Sequence, residues 1–300
     1  MRLAYGGTLT AASFESSGDD QRMKVNVIEV KDYLTKSNLP ASDYVINPYI
    51  GCSHACKYCY ACFMKRFTGH TEEWGTFLDV KVCKKPINLK RLVNKNVILS
   101  SVTDCYNMYE EKYRVTRDII EQLVDADCSV GIATKSKLVL RDIDLLKKFK
   151  DLKVAMSINT LDEKFRKDMD HASSIADRIA TLKELHHQGI YTVLFISPIF
   201  PYITDFISII EATNEFVEEY WFENLNLRGS YKKVILDYVF EKYPEYASAY
   251  QAIYVKGQKD YWEALALEIE DYCREKGIKY INYFYHEQLV KEKIEKNKFS

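Results

Sequence analysis

Short β-rich runs alternate with amphipathic helical stretches over most of this chain, and this alternation constrains its fold more than any other feature. Strands linked by helices form βα units, whose right-handed crossovers place the strands parallel in one sheet. Six such units predict an α/β fold, a partial (β/α)6 version of the TIM-type barrel. The candidate strands are Tyr44–Asn47, Val97–Val102, Val130–Thr134, Val154–Asn159, Thr192–Ile199 and Tyr220–Leu227, and the candidate helices are Arg114–Val124, Asp142–Phe149, Ile175–Gln188 and Phe206–Phe216.

The two ends of the chain differ from this middle part. Residues 1–22 are rich in Gly, Ser and Thr and weakly periodic, which predicts a poorly ordered segment. Met23, where the regular pattern begins, is a candidate alternative start. Residues 231–300 have a mostly helical pattern, with one further candidate strand at Ile278–Tyr285. We therefore expect a barrel core over residues 23–230 and a helical C-terminal extension that packs on it.

Composition narrows the class of protein. The chain has 300 residues, of which 47% are hydrophobic and 28% charged, with a net charge of −1. This balance is ordinary for a globular protein and argues against a strong electrostatic grip on nucleic acid. No apolar run reaches the length of a membrane span, and no secretory signal is apparent. We therefore expect no membrane association and a cytoplasmic location, where a reducing environment keeps cysteines free.

Three of the cysteines, Cys52, Cys56 and Cys59, stand close together after the first candidate strand. They form a C-x3-C-x2-C pattern within the segment NPYIGCSHACKYCY. Three thiolates at this spacing can ligate three irons of a [4Fe–4S] cluster and leave the fourth iron without a protein ligand. An open iron is a place for chemistry, as an open coordination position is in catalytic metal sites. The other five cysteines are scattered, and nothing suggests a second cluster.

A structural zinc ion is the alternative interpretation of the same cysteines. Zinc needs four ligands, usually two separated pairs of cysteines or histidines. His54 and Cys62 are near enough in sequence to complete such a set. Under this alternative the chain would be a metal-bearing nucleic-acid-binding or scaffold protein without turnover. The cysteine spacing favours the cluster.

Polar residues follow the other candidate strands, at the ends where barrels of this kind bind their ligands. A lysine in such a place can also be an ordinary surface residue, and a serine or asparagine can simply satisfy backbone groups. Their joint placement at successive strand ends favours a binding role. They are Thr103, Asp104, Lys135, Ser157, Asn159 and Ser197.

Taken together, these motifs resemble the spore photoproduct lyase-like branch of radical SAM proteins. The similarity runs from about Asn47 to Asp205, a little over half of the chain. Enzymes of this superfamily cleave S-adenosylmethionine reductively at a [4Fe–4S] cluster, and the 5′-deoxyadenosyl radical abstracts hydrogen from a substrate. The pieces are NPYIGCSHACKYCYA, Thr103-Asp104 with Thr116-Arg117, TKSKLVLRDIDLL, SINTLDE, Arg178 within IADRIATLKELHHQGI, and SPIFPYITD.

The resemblance implies a role for individual positions. The three clustered cysteines would hold the iron–sulfur cluster, and Tyr58 would lie along the adenine of S-adenosylmethionine. Thr103 would hydrogen-bond that cofactor, and Lys135 would meet its carboxylate in a charge-assisted contact. Ser157, with Asn159 beside it, would contact the ribose or the methionyl end. The resemblance also implies an electron donor such as flavodoxin or ferredoxin.

The departures from the family pattern concern the substrate. Spore photoproduct lyases carry a cysteine as hydrogen donor where this chain has Ser101. Cys105 is a candidate for a relocated donor, and we take it with Tyr106 as the candidate catalytic residues; a buried structural cysteine is the alternative. We therefore do not expect repair of thymine dimers. The substrate stays open among nucleic acid or nucleotide, which the resemblance slightly favours, peptide or partner protein, and small metabolite.

Three charged residues of these motifs are interpreted differently. Arg141, Asp142 and Arg178 belong to the matching segments, but each lies within or beside a candidate helix. Charged residues at helix ends commonly form caps or ion pairs. We expect them to support the structure rather than contact the cofactor.

Overall fold

The computed structural model describes residues 23–40 and 42–284. The predicted poorly ordered segment 1–22 and the last part of the predicted helical extension, residues 285–300, lie outside the described residues. The final residue of the predicted strand Ile278–Tyr285 lies outside them as well.

The strands of the described residues form two sheets. In chain order the strands are β1 (Lys24–Glu29), β2 (Leu34–Lys36), β3 (Tyr44–Ile46), β4 (Tyr49–Gly51), β5 (Phe77–Val82), β6 (Lys95–Leu99), β7 (Cys128–Thr134), β8 (Leu152–Ser157), β9 (Tyr191–Ile199), β10 (Glu219–Asn224) and β11 (Tyr280–Asn282). The larger sheet has the order β11-β10-β9-β8-β7-β6-β3-β2, and the smaller one has the order β1-β5-β4.

The larger sheet confirms the predicted parallel core. Its neighbouring strands from β3 to β11 are all parallel, and only β2 runs antiparallel to its neighbour β3. The six predicted strands correspond to β3 and to β6 through β10, in the predicted order. Within the described part of the chain the sheet does not close on itself, because β2 and β11 are its two edges. The fold is therefore an open, partial barrel.

The helices connect these strands. They are α1 (Lys65–Thr68), α2 (Glu110–Tyr113), α3 (Val115–Leu123), α4 (Ile143–Leu146), α5 (Glu163–Met169), α6 (Ile175–His187), α7 (Phe206–Glu211), α8 (Tyr231–Lys242), α9 (Ala247–Tyr250) and α10 (Asp260–Lys276). The four predicted helices contain α3, α4, α6 and α7. Helix α4 is shorter than predicted: a 3-10 segment over Lys137–Asp142 precedes it, and it ends at Leu146. Helix α5 was not predicted.

Short polar side chains start the helices that follow β8 and β9. Asp162, Ser174 and Asp205 each accept a hydrogen bond from a backbone N–H in the first turn of α5, α6 and α7, respectively. Such caps satisfy N–H groups that have no partner inside the helix. Gly189, with φ of +75°, lies just past α6, as the sequence predicts for a residue that ends a helix. The caps therefore define where α5, α6 and α7 begin.

The smaller sheet leads into the loop that contains Cys52, Cys56 and Cys59, which is called the cysteine loop below. Strand β4 pairs antiparallel with β5 and leads into Cys52. Gly51 has φ of +85°, and a Cβ atom there would lie 2.3 Å from the backbone oxygen of Phe77. Only glycine allows the two backbones to approach so closely. The sheet was missed from the sequence because β4 has only three residues and β5 is interrupted by Asp79.

The C-terminal extension also contributes to the larger sheet. After β10 come helices α8 to α10, with a π-helical turn at Gln251–Val255, and then β11, which pairs parallel with β10. The domain boundary at residue 230 stays a prediction. No helix of the described residues combines the length and apolar character that crossing a membrane requires.

Candidate active site

A cavity of about 240 Å³ lies at the carboxyl ends of the parallel strands. Each strand from β6 to β10 contributes to its wall, as expected for parallel strands whose carboxyl ends meet at one edge. The lining residues from these strands and the turns after them include Ser100 to Asp104, Ala133 to Lys135, Ser157, Phe195, Ser197, Trp221 and Glu223.

The three clustered cysteines, Cys52, Cys56 and Cys59, all line this cavity. Burial raises the pKa of the Cys52 thiol to about 12 and also raises the pKa of the other two thiols. The charge of Lys135 opposes this rise at Cys56 and Cys59. Buried thiols lose their protons when a cation binds them. Three thiols on one cavity supply the ligand type and number that an iron–sulfur cluster uses, whereas no group of three or more His, Cys, Asp or Glu side chains in the described residues is placed to hold a single metal ion.

Asp104 stabilises the first half of the cysteine loop through its contact with His54. The His54 Nε2 atom lies 3.0 Å from Asp104 Oδ2, and the same carboxylate accepts hydrogen bonds from Lys135 N and Thr134 Oγ1, each at 2.8 Å. Burial alone raises the pKa of the Asp104 carboxyl, but His54 and the backbone donors outweigh it and lower the pKa to about 2. Asp104 thus joins the cysteine loop to the end of β7.

Asp170 fastens the second half of the loop. The Tyr58 hydroxyl donates to Asp170 Oδ2 at 3.1 Å, and Arg178 Nη2 donates to Asp170 Oδ1 at 2.7 Å. Arg178 Nη1 also donates to the backbone oxygen of Ser157 at 3.1 Å. Both charged side chains are only 1% exposed. This ion pair joins the loop to the end of β8 and confirms the structural interpretation of Arg178.

Arg141 and Asp142 also have structural roles. Arg141 donates to both oxygens of Asp142 at 2.8 and 2.7 Å, and to Glu110 Oε1 at 2.6 Å. Neither Arg141 nor Asp142 lines the cavity. These contacts confirm that they support the fold rather than the cofactor site.

Three of the predicted cofactor residues lie in the cavity wall: Thr103, Lys135 and Ser157. The Thr103 hydroxyl donates to the Gly51 backbone oxygen at 2.6 Å. The Lys135 Nζ atom lies 5.9 Å from the centre of the Tyr58 ring. The structure thus brings these side chains together with the cysteines, while their individual roles stay predictions.

Two other predicted cofactor residues lie directly behind the wall. Tyr58 is buried with its hydroxyl on Asp170, and it does not line the cavity. Asn159 is also buried, and its Nδ2 atom donates to the Pro198 backbone oxygen at 3.0 Å. In this arrangement both side chains support the wall. Their contacts with S-adenosylmethionine stay predictions.

The two predicted catalytic residues lie elsewhere. Cys105 and Tyr106 are both fully buried, and neither lines the cavity. The Cys105 backbone N–H donates to Ser100 Oγ at 2.7 Å, and burial raises the pKa of its thiol. A side chain sealed in the core does not meet a substrate in the cavity, so the catalytic prediction is corrected. The alternative, a structural core cysteine, describes Cys105.

The part of the cavity wall formed by β9, β10 and Tyr283 was not predicted from the sequence. Phe195 and Ser197 on β9, Trp221 and Glu223 on β10, and Tyr283 after β11 all line the cavity. Residues two apart on a strand share one face. This spacing is the signal that would have paired Phe195 with Ser197 and Trp221 with Glu223. Tyr283 carries no such signal.

Sequence comparisons bear on the whole region that contains this site. The model of the Radical SAM superfamily matches residues 46–212. An uncharacterized protein from Methanocaldococcus jannaschii is 37% identical over 227 residues, covering 75% of this chain and 86% of the relative. An uncharacterized protein from Acidianus two-tailed virus is 34% identical over 173 residues, covering 53% of this chain and 56% of the relative.

Solved structures share the fold at low sequence identity. A spore photoproduct lyase variant with bound AdoMet and dinucleoside spore photoproduct is 15% identical with a TM-score of 0.56, covering 79% of this chain and 72% of that one. SuiB of Streptococcus suis bound to S-adenosylmethionine is 14% identical with a TM-score of 0.53, covering 87% of this chain and 51% of that one.

The family match spans more than half of the chain and includes the cysteine loop and the ends of strands β6 to β9. Members of this family use S-adenosylmethionine and an iron–sulfur cluster, and they typically need a reductant. With the three cysteines, Thr103, Lys135 and Ser157 around one cavity, the site has the parts that such an enzyme needs. The chain belongs to the radical SAM superfamily and is an enzyme of that family.

Proposed function

We propose that Cys52, Cys56 and Cys59 hold three irons of a [4Fe–4S] cluster in the cavity. When bound, this cluster supplies the electron that cleaves S-adenosylmethionine to methionine and a 5′-deoxyadenosyl radical, which abstracts hydrogen from a substrate. The observation that carries the proposal is the shared cavity, since the three thiols and the predicted cofactor residues at the ends of β6, β7 and β8 all line it.

The residues of the chain would bind and orient the cofactor. The Lys135 ammonium group would pair with the carboxylate of S-adenosylmethionine. The Lys135 backbone is itself held by Asp104, and the Ser157 backbone is held by Arg178. A reaction that breaks one chosen bond needs rigid orientation, and side chains at supported strand ends supply it. Cys105 and Tyr106 have no part in this proposal, because both are sealed in the core.

The alternative of a structural zinc site is less well supported. His54 Nε2 is paired with Asp104, and Cys62 does not line the cavity. His54 thus lines the cavity with its Nε2 atom engaged by Asp104, and Cys62 is not there to complete a zinc set. An electron donor such as flavodoxin or ferredoxin remains part of the proposal, because radical SAM enzymes typically need a reductant.

Product analysis tests the proposed chemistry. The protein would be reconstituted anaerobically with iron and sulfide, then given dithionite and S-adenosylmethionine, with 5′-deoxyadenosine followed by mass spectrometry. We expect about four irons per chain and formation of 5′-deoxyadenosine. Cys56→Ala should lose both, whereas Cys128→Ala, a matched cysteine at the start of β7 outside the cavity, should retain both. Zinc at one per chain without iron would instead support the binding-protein alternative.

Calorimetric titration tests the role of Lys135. Replacing it with Met should weaken binding of S-adenosylmethionine at least about tenfold, because a charge-assisted contact to a carboxylate is lost. Iron content should stay unchanged. The matched control is Lys137→Met, because Lys137 is largely exposed and lies outside the cavity. Equal affinity of wild-type protein and Lys135→Met would sink the assignment.

A further inference from the structure

The cavity wall formed by β9, β10 and the residue after β11 contains a corner of three aromatic rings. The Phe195 and Trp221 centroids are 5.7 Å apart with an angle of 81° between the ring planes. Tyr283 lies 6.3 Å from Phe195 at 65° and 5.8 Å from Trp221 at 87°. Because the planes meet steeply, the rings do not form one flat platform for stacking. All three line the cavity.

A carboxylate stands beside this aromatic corner. Glu223 lies two residues after Trp221 on β10 and lines the same cavity. The Ser197 hydroxyl donates to Glu223 Oε2 at 2.5 Å, which orients the carboxylate.

Contacts of Trp221 with a neighbouring charged pair hold this corner in place. Trp221 Nε1 donates to Glu219 Oε1 at 2.9 Å, and Glu219 is almost fully buried. Lys153 Nζ pairs with Glu219 Oε2 at 2.7 Å. Binding groups held by such contacts need little reorganisation when a ligand arrives. The cavity lining also includes the small residues Ser100, Ser101 and Ala133.

We propose that this corner binds the ammonium group of an alkylammonium substrate; the proposal rests on the function proposed above and adds the substrate class. A compact cation is attracted by the faces of aromatic rings, and a carboxylate beside them pairs with its charge. A flat nucleobase would find only one ring at a time to stack on. An anionic group would meet the Glu223 carboxylate. The geometry therefore selects a cation over either.

Three probes of equal length and different charge test this inference: pentylammonium, 1-pentanol and pentanoate. Their dissociation constants would be measured by ligand-observed NMR on the reconstituted full-length protein with S-adenosylmethionine bound. We expect pentylammonium to bind about tenfold more tightly than pentanol, with pentanoate weakest. Glu223→Gln, which keeps the shape and an acceptor for Ser197, should abolish the preference. Glu211→Gln, which alters an exposed carboxylate on α7, should leave it unchanged.

Two further measurements keep the result interpretable. Trp221→Leu should also reduce the preference for pentylammonium, because it removes one ring of the corner. Equal affinity for the three probes, or a preference that survives in Glu223→Gln, would overturn the inference. So would thymidine binding more tightly than pentylammonium with the same affinity in Glu223→Gln. Iron content and 5′-deoxyadenosine formation test the proposed function separately. If that chemistry fails while the preference for the cation persists, the proposed function is refuted and the ammonium site is not.

Discussion

Two buried carboxylates hold the two halves of the cysteine loop, but they do so with different partners. Asp170 is paired with Arg178, and both side chains are 1% exposed. Asp104 is paired with His54 and also accepts two backbone N–H groups, those of Tyr106 and Lys135. One half of the loop thus depends on a permanent cation, and the other depends on a set of shared hydrogen bonds.

This difference predicts which changes weaken the support at Asp170 and which weaken the support at Asp104. A guanidinium keeps its charge at every ordinary pH, so removing Arg178 strands a buried charge on Asp170. The support at Asp104 is spread over several donors, so one change there leaves most of them in place. We therefore expect the Asp170 side to be the more sensitive to substitution.

The largest expected effect is that of Arg178→Met. The variant should lose about 3–5 kcal/mol of unfolding free energy, because it leaves the buried Asp170 carboxylate without its closer cation and with only Arg166 at 3.8 Å. Urea denaturation of the protein without cluster measures this loss. The double variant Arg178→Met with Asp170→Asn removes both charges and should be more stable than Arg178→Met alone. A loss below about 1 kcal/mol in the single variant would contradict the account of the buried pair.

Asp104→Asn should have the next largest effect. The new amide group faces a backbone N–H of Tyr106 or Lys135 and leaves it without an acceptor, which costs about 1–3 kcal/mol. Because the Lys135 backbone loosens, binding of S-adenosylmethionine should weaken as well. Urea denaturation and calorimetry measure the two effects, with Asp125→Asn as a matched control at an exposed aspartate. Unchanged affinity in Asp104→Asn would show that Asp104 does not position Lys135.

Acid should weaken the support at Asp104. The pKa of Asp104 is lowered from 3.8 to about 2, so its stabilising contribution is complete above pH 4 and is lost as the pH falls through 2. The difference in unfolding free energy between wild type and Asp104→Asn should therefore shrink by about 2 kcal/mol between pH 5 and pH 2. Urea denaturation across this range gives the curve. A difference that grows on acidification would have the wrong sign.

The smallest effect belongs to an exposed ion pair near the same site. Lys137 Nζ lies 3.2 Å from Asp177 Oδ2, but the two side chains are 62% and 40% exposed. Solvent screens such a pair, so Lys137→Ala should change the unfolding free energy by less than about 0.5 kcal/mol. A loss comparable to that of Arg178→Met, measured in the same urea series, would show that burial does not separate these pairs.

Much of the fold follows from local patterns in the sequence. The six predicted strands of the parallel sheet were found in the right order because β-rich runs and helix stop signals, such as Gly189, are local properties. The smaller sheet was missed, since β4 has three residues and pairs with a strand far along the chain. Helix α5, seven residues long, begins at the cap Asp162 and was also missed.

The candidate site divides in the same way. The spacing of Cys52, Cys56 and Cys59 alone predicted the loop that lines the cavity as a metal-binding loop, because ligand spacing within a short segment is a local constraint. Lys135 and Ser157 were identified at strand ends, and both line the cavity. Cys105 was placed wrongly, because the sequence does not tell which way a side chain in a turn points.

The sequence by itself therefore determined the superfamily, the parallel order of the core strands and the side of the cavity that carries the cysteines. Each of these depends on residues that are neighbours along the chain. Only the tertiary structure decided that Cys105 is sealed in the core and that Phe195, Trp221 and Tyr283 meet beside Glu223. Such meetings depend on the register between strands that are distant in sequence, and no local pattern encodes that register.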